Sequence, residues 1–187
     1  MHELALRPLV NTDVGIAAQM MARMTETYHD LGHDLGMAHM VPVLSRGLTM
    51  RINEGPAVVV GYGGGGANIV GVYQLPHFRR QGDQITSDNV GLFATNPEEQ
   101  RADLHFLTAL GAMFSDVAHR ANVGSLVHRE TTLQRSPSFE ESGYALSRIV
   151  DDQRWARHVY ERTFSREGLG LNPDEERVAL EILRTLQ

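Results

Sequence analysis

The spacing of apolar residues along this chain changes from a helical period to a strand period and back again. An early apolar stripe comprises Val14, Ala17, Met21, Met24 and Tyr28. This spacing is that of one helix face. Residues 57–60 and 68–75 are instead rich in β-branched side chains and predict strands. A second helical stripe comprises Leu104, Leu107, Leu110, Phe114 and Val117. Because such helices and strands must bury their apolar faces against each other, the pattern predicts an α/β (α+β) domain.

The complete predicted order is β-α-α-β-β-β-α-β-α-β, which is typical of one mixed central sheet with helices on its faces. The other strands are predicted at residues 3–8, 86–95, 124–128 and 144–150, and the other helices at residues 42–52, 96–120 and 136–143. Residues 76–82 predict a polar connection. Asn96 and Pro97 are expected to start the long helix directly, because an amide caps a first turn and proline suits its first position.

Residues 151–187 are predicted to form a helical C-terminal extension of a domain that covers residues 1–150. Trp155 and Val159 share one side of a predicted helix at residues 152–164. Asn172 and Pro173 start a last helix, by the same chemistry as Asn96 and Pro97. The apolar stripe of that helix must be buried, either on its own domain or against a second copy or another protein partner.

Composition excludes several classes of function. The chain has 187 residues, no cysteine and a net charge of -6, and all 17 of its basic residues are arginine. It therefore has no disulfide, thiolate zinc site or cysteine nucleophile, and no lysine for a P-loop or a Schiff base. The acidic charge argues against a nucleic-acid partner. We also expect no membrane span or secretory signal, and hence a cytoplasmic location.

Three strings of the chain resemble, in their order and spacing, the GNAT N-acetyltransferase superfamily. They are residues 6–8 followed by Asp13, residues 91–98 at the end of the central strand, and residues 138–144. The resemblance covers about residues 3–150. It implies a GNAT-like mixed central β-sheet flanked by helices. It also implies acetyl-CoA as the cofactor and a small-molecule or peptide amine as the acceptor.

The resemblance implies a cofactor site at the end of the central strand. In the family, this strand pairs with the pantetheine arm, and a loop at a helix N-terminus holds the pyrophosphate, where backbone N–H groups and the helix dipole attract an anion. After the fifth strand the family often has an asparagine that helps to hold the cofactor, and Thr132 occupies that place here with at most a weaker contact. The matching positions here are Phe93, Ala94, Thr95, Gln100, Arg101 and Thr132.

The sequence departs from the family at three positions of this site. Two glycines of the pyrophosphate loop are replaced by Asp103 and His105. Asp103 would bring a negative charge close to a diphosphate. The tyrosine that often protonates the leaving thiolate is replaced by Phe139, which has no proton to give. Either the cofactor is bound in a modified way, or the fold has been kept without the reaction.

Three residues are candidates for proton transfer. His29 and His33 are four positions apart, in a segment that would border the acceptor pocket in the family, and histidine titrates near neutral pH. The same segment could instead hold a divalent metal or be a plain polar helix end, and we predict no metal site. Asp88, early in the predicted central strand, is the third candidate. Its alternative is an ordinary strand residue.

Two functions follow from the sequence. The first is an acyl-CoA-dependent N-acetyltransferase with altered cofactor-binding and general-acid positions. The second is a catalytically inactive GNAT-like structural or binding module. It would be, for example, a bacteriophage virion or assembly protein that uses residues 151–187 as a contact. The location in that case would be the virion.

Overall fold

The computed structural model describes residues 5–30, 41–54, 58–63, 68–89, 93–95, 101–151, 156–168 and 170–186. Its strands are β1 (Ala5–Pro8), β2 (Val58–Gly63), β3 (Asn68–Gln74), β4 (His77–Gln81), β5 (Gln84–Asn89), β6 (Phe93–Thr95), β7 (Ser125–Thr132), β8 (Ala145–Asp151) and β9 (Ala156–Ser165). Its α-helices are α1 (Val14–Asp30), α2 (Val41–Glu54), α3 (Ala102–Arg120), α4 (Pro137–Glu141) and α5 (Pro173–Thr185). The predicted α/β class and its central mixed sheet with flanking helices are confirmed.

The strands form two hydrogen-bonded sets. One has the order β1-β2-β3-β6, and the other has the order β4-β5-β7-β9-β8. The pair β5–β7 is parallel, and the other pairs are antiparallel. The predicted strand 86–95 is therefore divided, because its first part lies in β5 and its last part lies in β6. The polar connection predicted at residues 76–82 is wrong for residues 77–81, which form a hairpin with β5 around Gly82 at φ +62.

Helices cover both faces of this sheet. On one face, α1 and α2 enclose an apolar cluster that includes Met21, Leu48 and Ala94. On the other face, α3 and α5 enclose a larger cluster whose centre is Phe106, Leu110 and Phe114. The apolar stripe that predicted α3 is the buried side of this helix. Within β6, Ala94 belongs to the cluster under α1 and α2, and the side chain of Thr95 lies close to Gly71, as does the ring of Phe106.

The start of the long helix was predicted at Asn96 and Pro97. Those two residues lie outside the described part, and α3 begins at Ala102. Arg101 has φ 60, a left-handed conformation that cannot belong to a right-handed α-helix. The first backbone bond of the helix runs from the N–H of His105 to the carbonyl of Arg101.

The helix predicted at residues 152–164 is wrong over residues 156–164, which belong to β9. This strand pairs with β7 along one edge and with β8 along the other. Its buried residues Tyr160 and Phe164 face α3 and α4, whereas Val159 is buried on the opposite side. The sheet thus continues past the predicted boundary at residue 150. Strand β8, which was predicted to be a core strand, is an exposed edge strand instead.

The last helix is confirmed, including its start. The Asn172 side chain accepts hydrogen bonds from the N–H groups of Asp174 and Glu175, and Glu175 bonds back to the N–H of Asn172. Its buried stripe, Val178, Ala179 and Ile182, belongs to the same core as α3. An ion pair of 3.0 Å between Arg120 and Glu176 also joins the two helices. Helix α5 therefore packs on its own domain.

Candidate functional site

The division of the central strand opens a fork in the sheet. Strand β5 pairs with β7 up to the pair Asn89–Glu130, while β6 pairs with β3 through Thr95, Ala94 and Phe93. Strand β7 meanwhile continues to Thr132 beside β9. Residues 93–95 belong to one hydrogen-bonded set of strands, and residues 130–132 belong to the other. We call the place between these two segments the fork. Helix α3 begins seven positions after the last residue of β6.

Three buried side chains beside the fork, on the side of α3, are linked by hydrogen bonds. Nε2 of His128 lies 2.8 Å from the hydroxyl of Tyr73, and Nδ1 lies 2.9 Å from the hydroxyl of Tyr144. Tyr73 belongs to β3 and His128 to β7, so these hydrogen bonds connect the two sheets by side chains. The imidazole also packs 4.9 Å from the ring of Phe114, between centroids. All four residues are buried.

The imidazole of His128 is neutral in this setting. Burial lowers the pKa of His128 from its ordinary 6.5 to about 3. An Oε2 atom of the buried Glu130 lies 3.8 Å from Nε2, yet the cost of desolvation outweighs its attraction for a proton. Burial, together with the charge of Glu130, also raises the pKa of Tyr144. A neutral ring has one N–H and one acceptor nitrogen, so one tyrosine donates to it and the other accepts from it.

A second buried tyrosine arrangement lies next to Glu130. Tyr160 pairs with Glu130 across β9 and β7, and its ring stacks on Phe139 of α4 at 5.2 Å and 28°. The backbone N–H of Ser136, just before α4, donates to the Tyr160 hydroxyl over 2.9 Å. Phe139 is one of the departures from the family pattern. Phe139 itself has no hydroxyl, but the ring of Tyr160, on which it stacks, carries one.

The start of α3 carries the other two departures. The carboxylate of Asp103 is half-buried and accepts a hydrogen bond of 2.9 Å from the N–H of Leu104. The side chain of His105 is exposed. The guanidinium of Arg101 lies 2.5 Å from Glu141 of α4 and is more than half exposed. The positive end of this helix therefore has one fixed negative charge, with an arginine beside it.

The structure brings some of the predicted site residues together and separates others. Residues 93–95 and Thr132 lie on the two sides of the fork, and Arg101 lies at the start of α3. The hydroxyl of Thr132 donates to the carbonyl of Gln134, within its own turn. Gln100, His33 and the side chain of His29 lie outside the described residues. Their roles, like those of the residues at the fork, stay predictions.

Asp88 lies away from the buried polar groups. Its side chain is 64% exposed and forms an ion pair of 3.3 Å with Arg129, which also pairs with Glu161 at 2.6 Å. The pairing registers put all three on the sheet face opposite α3, since Asp88 and Arg129 are neighbours and alternate with the buried Ser87 and His128. In the described part of the chain, no group of three His, Asp or Glu side chains could hold a metal ion.

Sequence reasoning missed the buried groups His128, Glu130, Tyr73 and Tyr160. One signal was present, because Leu126, His128 and Glu130 alternate with more exposed residues along β7. Polar side chains at core-facing positions of a strand are expensive unless they are bonded. They therefore mark a buried network. The partners of this network come from strands far apart in the sequence, and no local pattern identifies them.

Comparison with known proteins identifies the fold. No family model and no curated protein matches the sequence. Among solved structures, an acetyltransferase from Thermus thermophilus is 19% identical, with 88% of this chain and 100% of that one covered and a TM-score of 0.53. The aminoglycoside acetyltransferase AAC(6')-Ib, in complex with coenzyme A and kanamycin, is 12% identical (86% and 94% covered, TM-score 0.55). The microcin C7 self-immunity acetyltransferase MccE, with acetyl-CoA and AMP, is 9% identical (87% and 93% covered, TM-score 0.56). No described helix is long and apolar enough to cross a membrane.

Proposed function

We propose, from the premise that this chain has the fold of the GNAT acetyltransferases, that it is an acyl-CoA-dependent N-acetyltransferase acting on an amine acceptor. The observation that carries the proposal is the fork. Strand β6 uses one edge to pair with β3, which leaves its other edge towards the fork. Backbone groups on an open strand edge pair with an extended amide-bearing chain. The pantetheine arm of acetyl-CoA is such a chain.

The residues at the fork fit this cofactor in most respects. Residues 93–95 would pair with the pantetheine arm. The first N–H groups of α3 and Arg101 would face the pyrophosphate, because a helix N-terminus and a guanidinium both attract anions. Two structural neighbours, AAC(6')-Ib and MccE, were solved with coenzyme A or acetyl-CoA. Bound acetyl-CoA supplies an activated acetyl group, and the chain's own residues hold it and handle protons.

Asp103 is the feature that fits least well. A carboxylate about 6 Å from a diphosphate charge costs on the order of 1 kcal/mol at a partly exposed site. We therefore expect Asp103→Asn to bind acetyl-CoA about fivefold more tightly than the wild type. Asp174→Asn is the matched control, since it removes the same charge from the first turn of α5. Helix α5 starts near Arg120, at the far end of α3.

The acceptor side of the proposal follows from charge. The net charge of -6 favours cationic amines. One structural neighbour, AAC(6')-Ib, was solved with kanamycin. We propose that Asp88, exposed on the sheet face opposite α3, faces the acceptor. His29 and His33 remain our candidates for the base that takes the proton of the amine.

Calorimetry and thermal unfolding with acetyl-CoA test the proposal. A ligand present at one hundred times its Kd stabilises the native state by about 2.7 kcal/mol. For a chain of 187 residues we expect a rise in Tm of about 5–10 °C. A saturable rise, larger in Asp103→Asn and unchanged in Asp174→Asn, would support the site. The absence of any shift at millimolar acetyl-CoA would refute the proposal.

A second candidate function is a non-catalytic binding module, and the half-buried carboxylate of Asp103 in the first turn of α3 favours it. Such a protein would keep the fold without cofactor binding, and a bacteriophage virion or assembly protein is one example. Its contact would use residues 151–187. In the same experiment this candidate predicts no Tm shift with acetyl-CoA for either the wild type or Asp103→Asn.

A further inference from the structure

We propose that Tyr73 and His128 are positioning residues that hold the fork at a fixed width. Tyr73 lies on β3, in the first hydrogen-bonded set of strands, and His128 lies on β7, in the second set. The consequence for acetyl-CoA rests on the function proposed above, whereas the effect on the fork can be measured in the free protein. Neither side chain needs to contact the cofactor, because both act through the strands that carry them.

The side chain of Tyr73 extends past β6 towards β7, on the side of α3. Tyr73 is paired with Phe93 of β6, so β6 lies between β3 and the fork. The hydroxyl of Tyr73 nevertheless lies 2.8 Å from Nε2 of His128. Among the described residues, no backbone pairing joins the two sets of strands. This hydrogen bond between side chains therefore links the two sides of the fork.

Both ends of this link are held in place by packing. The ring of Tyr73 meets the ring of Phe106 of α3 edge to face, with 6.4 Å between the centroids. The imidazole of His128 lies 4.9 Å from the ring of Phe114, and its Nδ1 atom lies 2.9 Å from the hydroxyl of Tyr144. Because neither group can turn away without breaking these contacts, their hydrogen bond restrains the distance between β3 and β7.

The link lies close to the point where the fork opens. His128 is paired with Ser87, and the last pair of β5 and β7, Asn89 with Glu130, comes two residues later. Beyond that pair, β6 joins β3 instead of β7. Paired strands open most easily at their ends. A link at this level therefore keeps the fork from extending into the β5–β7 pair.

Helix α3 also packs on both sets of strands, but by contacts of another kind. Its residues share one apolar cluster with Tyr73 of the first set and with Leu126 of the second. Apolar packing is non-directional, so it allows two surfaces to shift relative to each other. A hydrogen bond is restricted to a narrow range of distance and angle. Helix α3 thus keeps the two sets together, and the bond between Tyr73 and His128 sets their separation.

A fork of fixed width favours the binding of an extended chain such as the pantetheine arm. Residues 93–95 and 130–132 belong to different sets before any ligand arrives. Strand edges that are already held in place lose little freedom on binding, which improves the affinity. We expect loss of the bond to weaken coenzyme A binding about fivefold, which is equivalent to about 1 kcal/mol. Since the bond is not made to a reacting group, kcat should be retained.

Amide hydrogen exchange in the free protein tests the fork itself. Tyr73→Phe keeps the ring and removes the hydroxyl. In this variant, bonded amides of residues 87–89 and 128–130, next to the fork, should exchange about fivefold faster than in the wild type. Those of Ile85 and Leu126, farther from the fork in the same strand pair, should keep their rates. Equal acceleration at both places, or none next to the fork, would overturn the inference.

The matched control is Tyr144→Phe. It also removes one hydroxyl bonded to His128, but Tyr144 directly precedes β8, which belongs to the same set of strands as β7. The bond that it loses therefore does not cross the fork. Amides next to the fork should keep their wild-type rates in this variant. Thermal unfolding of both variants checks that each retains the fold with a similar loss of stability.

Calorimetry with coenzyme A tests the consequence for binding. The Kd should rise about fivefold in Tyr73→Phe and stay unchanged in Tyr144→Phe. In a His128→Phe background, Tyr73→Phe should have no further effect, because the bond is already absent. A thiol reagent can follow the release of coenzyme A, since the chain has no cysteine. With kanamycin or spermidine as acceptor, the KM for acetyl-CoA should rise in Tyr73→Phe while kcat is retained.

The outcomes separate this inference from the proposed function. A wild type that binds no coenzyme A refutes the proposed function, and hydrogen exchange alone then decides whether the pair holds the fork. If the wild type binds coenzyme A and Tyr73→Phe binds it with the same Kd, the inference fails and the proposed function stands. An equal loss of affinity in Tyr144→Phe would also overturn the inference, because it would show a general effect of the buried network.

Discussion

The buried imidazole of His128 makes the stability of this protein depend on pH. The folded state holds the ring neutral, with a pKa of about 3 against the ordinary 6.5. The unfolded chain therefore binds a proton more readily than the folded one throughout the window between these values. Unfolding takes up a proton there, so this contribution to stability is present above pH 6.5 and is lost as the pH falls towards 3.

The size of the effect follows from the two pKa values. Each pH unit in this window changes the free energy of unfolding by about 1.36 kcal/mol. At pH 5.0, about 1.5 units below the unfolded pKa, His128 costs roughly 2 kcal/mol relative to pH 7.5. The carboxylate of Glu130, 3.8 Å away, would attract a proton on Nε2, so this figure is an upper estimate.

Urea denaturation at pH 7.5 and 5.0 measures this contribution. We expect the wild type to lose about 2 kcal/mol more between the two pH values than His128→Gln, which cannot gain the proton. His77→Gln, at an exposed position of β4, is the control and should keep the pH dependence of the wild type. If His128→Gln has the same pH dependence as the wild type, the imidazole is not buried in a neutral form.

Two further predictions concern the packing around α3 and the cap of α5. Phe114→Ala should lower the free energy of unfolding by about 3–5 kcal/mol, because this fully buried ring packs against three other aromatic rings. Leu180→Ala, at an exposed position of α5, should cost less than about 0.5 kcal/mol, and similar losses in the two variants would contradict the assigned core. Asn172→Ala should cost about 1 kcal/mol by removing the side chain that caps α5. Asn172→Asp should stay within a few tenths of the wild type, and equal urea midpoints for these two variants would show that the cap contributes nothing.

The parts of the fold that depend on local chemistry were predictable from the sequence. The stripe of α3 is seen in the spacing of Leu107, Leu110 and Phe114, which are all buried. The start of α5 is encoded in Asn172 and Pro173, where a capping side chain meets a residue suited to the first turn. Such signals come from residues that are close together in the sequence, so they can be identified without knowledge of the tertiary structure.

The parts that depend on long-range pairing were not predictable. Trp155 and Val159 have a helical spacing, but β9 is a strand because β7 and β8 satisfy its backbone on both edges. The central strand is divided for the same reason, because β5 pairs with β7 whereas β6 pairs with β3. The buried polar network beside the fork also depends on contacts between residues far apart in the sequence. His128 acquires its role from Tyr73, which is 55 residues away.

Amide hydrogen exchange by NMR, with and without coenzyme A, tests the fork most directly. If the fork holds the pantetheine arm, the amides of residues 93–95 and 130–132 that form no hydrogen bond within the sheet should exchange more slowly in the complex. The amides at the start of α3 should also exchange more slowly. Amides of the exposed edge strand β8 should be unaffected. Protection confined to other surfaces, or none at saturating coenzyme A, would contradict the assignment of the fork as the cofactor site.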